Sequence, residues 1–203
     1  MKKLKVPSYD WDLVAKLAKH PNPQNYWNNT GGYPRHFKDA LTEKLKIIQH
    51  NRCAYCSTEL FGNEIPRDHI APKEKYSLWT FRPENIVLAC SYCNSERKKV
   101  YNPIIGLRRK YKKCVFEFVH PYLDNPDQHL AYQGALKAIL ISSKTPKGEK
   151  TIDLFDLASP ERTKQRASDC QFFDIDGTLH GRWRSLYEAA KTQSLKPNLE
   201  SSG

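Results

Sequence analysis

The sequence predicts an α+β fold: a small core of two strands and one helix gathered around four cysteines, preceded by helices and followed by a mixed extension. Three observations carry that reading. Two Cys-x-x-Cys pairs, Cys53/Cys56 and Cys90/Cys93, have 33 residues between them, well beyond the roughly 15 to 20 that separate the knuckles of a short zinc finger. The interval must therefore hold structure of its own. Two stretches inside it, 65–72 with Ile65 and Ile70 and 84–89 with Ile86, Val87 and Leu88, have strand-like apolar character and can pair antiparallel. Upstream of the cysteines apolar residues recur at helical spacing, and downstream apolar runs alternate with turn-rich segments.

Taken in order, Trp11, Val14, Leu17 and Ala18 follow a cap at Ser8 or Asp10 and predict an amphipathic helix within 8–20, stopped by Pro21-Asn22-Pro23. The Asn-, Gly- and Pro-rich stretch to Pro34 reads as a loop. A second helix over 36–50 has Phe37, Leu41, Leu45, Ile47 and Ile48 as its apolar face and delivers the chain to the first cysteine pair. Beyond the hairpin, Ser91 to Lys98 begins a helix, with Asn94 in its first turn and Lys98 four residues on, along the same face. Residues 114–119 read as a strand, 124–127 as a turn, and the run Ala138-Ile139-Leu140-Ile141 leans to strand by its β-branching. From Thr151 to about Ala167 the chain is helical, split at Ser159-Pro160. These elements divide the chain into a helical extension (1–50), the cysteine-framed core (51–113), a mixed α/β extension (114–193) and a polar tail (194–203) expected to be disordered. Asp174-x-Asp176-Gly177-Thr178 reads as a turn, and His120 and His129 as satisfied structural histidines.

The chain carries 33 Lys+Arg against 22 Asp+Glu, a formal net charge of +11. That balance favours a polyanionic partner, nucleic acid above all, through counterion release, although surplus lysine also serves plain solubility. The cations crowd at Arg97, Lys98, Lys99, Arg108, Arg109, Lys110, Lys112 and Lys113. No stretch of about 18 apolar residues occurs and Met1 to Pro7 has no apolar signal segment, so a soluble cytoplasmic protein with no membrane partner is expected. In a reducing cytosol paired cysteines favour metal over disulfides, and four thiolates suit tetrahedral Zn²⁺. Cys114 and Cys170, in mixed apolar surroundings, read as buried inert thiols.

Inside the interval stand Asp68-His69 and Asn85, and Asn94 follows the last cysteine; these hard oxygen and nitrogen groups suit a second, catalytic metal. The pattern Cys53-x-x-Cys56, Asp68-His69-Ile70-x-Pro72-Lys73, Glu84-Asn85-Ile86-x-Leu88-x-Cys90-x-x-Cys93-Asn94 and Lys98 resembles the HNH (ββα-metal) endonucleases whose motif is framed by two zinc knuckles. The resemblance implies His69 as general base, Asp68 and Asn94 as ligands of a divalent metal, Mg²⁺ or Mn²⁺, and Asn85 as the residue that orients the histidine and its loop. Lys73 and Lys98, with Arg97 and Lys99 beside them, become candidate nucleic-acid contacts. Asn94 stands where the family's name has histidine, and it offers an amide oxygen. Flanking features, Phe37-x-x-x-Leu41-x-x-x-Leu45, His120-Pro121-x-x-Asp124-Asn125-Pro126, His129 and Gly148-x-x-x-Thr151-Ile152, are similar to a bacterial subgroup found in Septu-type and retron-linked anti-phage systems. That likeness implies an SMC/ABC-type ATPase as partner, within a retron-containing complex in some systems, and a substrate of DNA or of RNA such as tRNA. The competing reading is a non-catalytic zinc module that binds nucleic acid through the basic run from Arg97 to Lys113.

Overall fold

The computed structural model describes residues 1–62, 65–133, 139–172 and 181–194. Helix α1 (Trp11–Ala18) starts at Asp10, whose carboxylate accepts from the amides of Asp12 and Leu13 at 2.9 and 3.1 Å, satisfying donors that open a helix. Val14 and Leu17 are its buried face. The segment expected to be loop contains a further turn of helix, α2 (Pro23–Tyr26), with Asn22 as cap and proline at the first helical position, where its missing N–H costs nothing. Helix α3 (Gly32–Ile48) begins four residues before the expected start. Phe37, Leu41 and Leu45 are fully buried, whereas Ile47 is 77% exposed. Two residues past Leu45, it stands about 200° further round the helix.

The expected hairpin is present. Strand β1 (Arg67–His69) pairs antiparallel with β2 (Ile86–Leu88), placing Asp68 opposite Val87 and His69 opposite Ile86. All three β2 side chains are buried. The expected helix after the second knuckle is a π-helix, Tyr92–Lys98, in which the Lys99 amide donates to the Asn94 carbonyl at 2.8 Å. Such i→i+5 turns are rare and concentrate at functional positions.

Strands β3 (Ile104–Gly106) and β4 (Val115–Phe116) form a bulged antiparallel ribbon. The strand expected over 114–119 shortens to two residues because its later amides go elsewhere: Glu117 N donates to Pro103 O and Val119 N to the Thr151 hydroxyl, each at 2.8 Å. A second hairpin pairs β5 (Leu130–Gln133) with β6 (Leu140–Ser143), so the strand reading of the apolar run holds for Leu140 and Ile141, while Ala138 lies outside the described residues. Helix α4 (Pro146–Phe155), capped by Thr145, opens five residues before the expected Thr151. A β-carbon at Gly148 would lie 2.0 Å from the carbonyl oxygen of His129, so only glycine lets α4 seat on the start of β5. The break at Ser159-Pro160 separates α4 from α5 (Pro160–Phe172), and α6 (Gly181–Ser194) follows. The Asp174 to Thr178 turn and residues 195–203 of the tail lie outside the described residues.

The fold is therefore α+β, with three two-stranded sheets among helices in the described residues. One apolar core runs from Phe37 and Leu41 through Ile86 and Val87 to Phe116, Phe118 and Phe155, joining both extensions to the cysteine-framed hairpin. Among the described residues no helix is long and apolar enough to cross a membrane.

Candidate functional site

The four cysteines converge from two segments, Cys53 and Cys56 from the loop ahead of the hairpin, and Cys90 and Cys93 from the end of the hairpin and the first turn of the π-helix. Their sulfurs all lie within 4.8 Å of one another, with Cys56 and Cys90 3.7 Å apart. A tetrahedral thiolate shell with metal–sulfur bonds of about 2.3 Å has edges of roughly 3.8 Å, so the cluster fits a bound metal ion. The knuckle is tied to β2 by backbone and by buried Gln49 at the end of α3: Ala54 N donates to Leu88 O (3.0 Å), and the Gln49 amide donates to that carbonyl (2.8 Å) and accepts from Leu88 N (2.9 Å). From α5, Arg162 reaches Thr58 at 3.0 Å and lies over the Tyr92 ring. Burial alone would lower its pKa, yet the four neighbouring cysteines outweigh that and raise it, which makes Arg162 the countercharge to the sulfurs.

Between Cys53 and Cys56 sits Tyr55, fully buried and stacked on Phe155 at 4.1 Å. Its hydroxyl donates to Asp68 Oδ2. The other carboxylate oxygen, Oδ1, accepts from the Lys98 ammonium at 3.0 Å, and that ammonium also donates to the His69 carbonyl at 2.7 Å. Burial raises the pKa of Asp68, and Lys98 and Tyr55 pull against it without cancelling it. The carboxylate thus sits dry, gripped from the knuckle on one side and from the π-helix on the other.

His69 follows on β1, with Nε2 2.8 Å from the carbonyl oxygen of Thr80. A carbonyl can only accept, so Nε2 carries the proton and Nδ1 keeps its lone pair. The edge of the site is closed by Trp27, 4.5 Å away and nearly perpendicular to the imidazole, itself pinned by Lys38, which donates to the carbonyls of Trp27 and Asn29 at 2.9 Å each. Burial lowers the His69 pKa to about 4, against a smaller opposing effect of the Thr80 bond. Near neutral pH the imidazole is therefore the free base.

Asn85 is completely buried and uses its whole amide. Oδ1 accepts from Ala71 N (2.7 Å) and the Tyr111 hydroxyl (2.9 Å), while Nδ2 donates to Ala71 O (3.0 Å) and Trp79 O (3.1 Å). It thereby fixes the loop that leaves His69. Behind it, Tyr111 O lies 2.9 Å from His120 Nε2, and His120 Nδ1 accepts from the amides of Tyr122 and Leu123. Nε2 must then carry the proton, giving one direction to the chain His120 to Tyr111 to Asn85. Burial takes the His120 pKa down to about 3. His120 is a satisfied core histidine, and His129 bonds Thr145 at 2.8 Å, as their sequence context indicates.

Asn94 is half-buried in the first turn of the π-helix, its own amide donating to Cys90 O at 3.0 Å. The cations read as nucleic-acid contacts separate on inspection. Lys98 is 1% exposed and engaged by Asp68, so it is an internal partner of the carboxylate rather than a surface contact. Arg97 caps the end of α4 through the carbonyls of Leu154 (3.0 Å) and Asp153 (2.6 Å). Lys73 pairs with Glu74 at 2.7 Å, and Lys99 is exposed. Sequence reasoning passed over Tyr55, Trp27 and Tyr111. The available signals were a tyrosine inside a knuckle, a tryptophan in an otherwise polar loop and a tyrosine interrupting a run of cations.

Residues 53–99 match the HNH endonuclease family. The HNH match thus begins at the first knuckle, holds both strands of the hairpin and ends just past Lys98. Along a greater length the chain is similar to the Septu protein PtuB of Bacillus mycoides (strain KBAB4), at 25% identity over 152 residues, which is 64% of this chain and 51% of the relative. The chain therefore spans about half the length of that curated relative. The aligned length exceeds the HNH segment threefold, so the likeness takes in flanking sequence as well as the motif.

Proposed function

We propose that this chain is a metal-dependent HNH endonuclease that hydrolyses phosphodiester bonds of nucleic acid, DNA first and RNA such as tRNA as the alternative substrate. The observation that carries the reading is a neutral His69, its Nε2 held by the Thr80 carbonyl so that Nδ1 keeps its lone pair, next in the chain to Asp68, whose buried carboxylate is gripped by Lys98. His69 Nδ1 takes the proton of the attacking water, and the Thr80 carbonyl, holding Nε2–H, keeps the ring in the tautomer that can do so and stabilises the imidazolium that results. Asn85 holds the 71–79 loop so that this geometry is set before substrate arrives. Asp68 and Asn94 would hold the divalent cation, Mg²⁺ or Mn²⁺. The donor set suits one in kind, since a carboxylate and an amide oxygen are hard ligands, and the cation would share Asp68 with Tyr55 and Lys98, which engage its two oxygens. When bound, such a cation stabilises charge on the phosphoryl oxygens and the departing 3′ oxygen. General-base action contributes typically about 10² to 10⁴-fold, so Asp68 is as necessary as His69. The cysteine cluster takes structural Zn²⁺.

The likeness to a Septu protein supports a role in anti-phage defence. In that role the chain works in the cytoplasm with an SMC/ABC-type ATPase, in some systems within a retron-containing complex. The test is cleavage of supercoiled plasmid and of total cellular RNA with Mg²⁺ or Mn²⁺, by wild type and His69→Ala, alone and with the co-purified partner, with zinc content measured on both proteins. Cutting by wild type only, at equal zinc, is the expected result and identifies the polymer. Identical behaviour of the two proteins in every arm would remove the catalytic assignment and leave a zinc-bearing nucleic-acid adaptor.

A further inference from the structure

From Arg97 to Phe116 the chain has eight lysines and arginines and no carboxylate, and five of those cations fall within the six residues Arg108–Lys113. That loop joins β3 to β4, beyond the HNH segment, and all five cations are exposed. It is a built loop. The Cys114 sulfur accepts from Arg108 N at 3.3 Å and faces the Arg108 carbonyl at 3.4 Å, Lys113 N donates to Lys110 O at 2.8 Å, and Tyr111 turns inward to be wholly buried. Holding five like charges on one short loop is unfavourable without a counter-anion. Within the fold Lys112 meets Glu84 at 3.2 Å. An anion of extended, regularly spaced charge would compensate the rest.

The position of the loop selects among polyanions. Its buried residue, Tyr111, is the one whose hydroxyl donates to Asn85, and Asn85 holds both Ala71 and Trp79 in the loop that leaves His69. The cations are thus fixed to the framework of the candidate catalytic histidine. We propose that the loop 107–113 grips the phosphate backbone of nucleic acid flanking the scissile bond, and that Tyr111 couples this grip to the His69 loop. The inference rests on the nuclease reading above and adds where the polymer lies. An acidic protein, the other class that could neutralise such a loop, has no reason to be placed on the framework of His69.

The test uses full-length protein carrying His69→Ala, so that bound polymer survives, with a fluorescein-labelled DNA duplex and an RNA hairpin as probes. Binding is titrated against salt for that protein, for a loop variant (Arg108→Gln, Arg109→Gln, Lys110→Gln) and for a control with the same charge change at exposed Lys3, Lys5 and Lys19. Each lost duplex contact reduces the slope of log K against log salt by about 0.9, so the loop variant should lose about 2 to 3 and the control less than 1. Equal losses in the two variants, or an unchanged slope in the loop variant, would overturn the inference and leave the nuclease reading standing. Failure of the parent protein to bind either probe at low salt would overturn both. Displacement of the duplex by polyglutamate at matched charge would show an anion surface with no claim to nucleic acid. For the coupling, amide hydrogen exchange at Ala71 should slow on duplex binding and should stop responding when Tyr111→Phe is added. Unaltered slowing in Tyr111→Phe would show that the grip and the His69 loop are independent.

Discussion

Replacing Tyr55 by phenylalanine removes one hydroxyl while keeping the ring that stacks on Phe155 at 4.1 Å and meets Phe118 edge-on. The packing contribution is therefore unchanged, and the loss is the donor to Asp68 Oδ2. A hydrogen bond to a charged group is worth about 1.5 to 3 kcal/mol, and here the oxygen left behind is buried and cannot turn to water. For a chain of this size that corresponds to a fall in Tm of roughly 4 to 10 °C. Zinc content should be unaltered, because Cys53 and Cys56 stay in place. The chemistry should shift in a specific direction. Burial already raises the Asp68 pKa, with Lys98 and the Tyr55 hydroxyl holding it down, so loss of the hydroxyl raises it further and moves the acid limb of the cleavage–pH profile to higher pH. Calorimetry, zinc analysis and cleavage rates across pH on Tyr55→Phe and wild type make the comparison. A variant with wild-type Tm and a wild-type acid limb would refute the link from the cysteine knuckle to the carboxylate.

Cys53→Ser should lose both zinc and the folded state, since structural zinc binding is coupled to folding with apparent energies on the order of 10 kcal/mol in small peptides; retention of zinc and Tm would show that the cluster does not hold the structural metal. Lys98→Met leaves the Asp68 carboxylate buried without its countercharge, a loss of about 3 to 5 kcal/mol by denaturant unfolding, and a change below about 1 kcal/mol would mean the ion pair is not formed in solution. His69 titrates near 6.5 when unfolded and near 4 in the fold, so below about pH 6.5 the unfolded chain takes up the extra proton and stability falls as pH drops toward 4. Urea midpoints measured from pH 7 to 4 should decline less steeply for His69→Gln than for wild type, and parallel curves would contradict a neutral buried imidazole. Gly148→Ala drives a methyl to 2.0 Å from a backbone oxygen and should lower Tm by more than any surface substitution on α4.

The parts of the site that the sequence made legible are those where spacing itself is the constraint. Two Cys-x-x-Cys pairs bring four sulfurs together whatever surrounds them, and the alternation of Asp68 and His69 with Val87 and Ile86 follows once the strands pair. Helix starts were harder: α3 opens at Gly32 and α4 at Pro146, because glycine and proline read locally as breakers, yet proline suits the first helical positions and Gly32 enters α3 at a φ of +60° that other residues rarely adopt. The π-helix gives no periodicity signal over seven residues. Lys98 was misplaced for a different reason. A lysine in a basic run reads as surface, and only the burial of Asp68 makes its ammonium more valuable inside than in water. Tyr55, Trp27, Tyr111 and His120 act at sequence distances that no local pattern encodes.

These long-range partners answer a problem of size. A segment as short as 53–99 buries too little apolar surface to hold a charged, dehydrated site by packing alone. Metal closure at the four cysteines would fix the ends of the hairpin, but a tetrahedral knot constrains its own surroundings and would leave Asp68 and Asn85 free to relax. The two extensions supply what the knot cannot: Phe155 packs Tyr55 against Asp68, Trp27 shields His69, and His120 directs Tyr111 onto Asn85. Each candidate catalytic group on the hairpin is thus held by an aromatic residue whose own position depends on chain outside the hairpin or on the knuckle. The dependence makes a truncation informative. A fragment limited to 53–99 should still bind zinc through its four cysteines, yet its His69 should titrate well above 4, toward the value of an exposed imidazole, and NMR titration of that ring in fragment and full chain separates the two contributions.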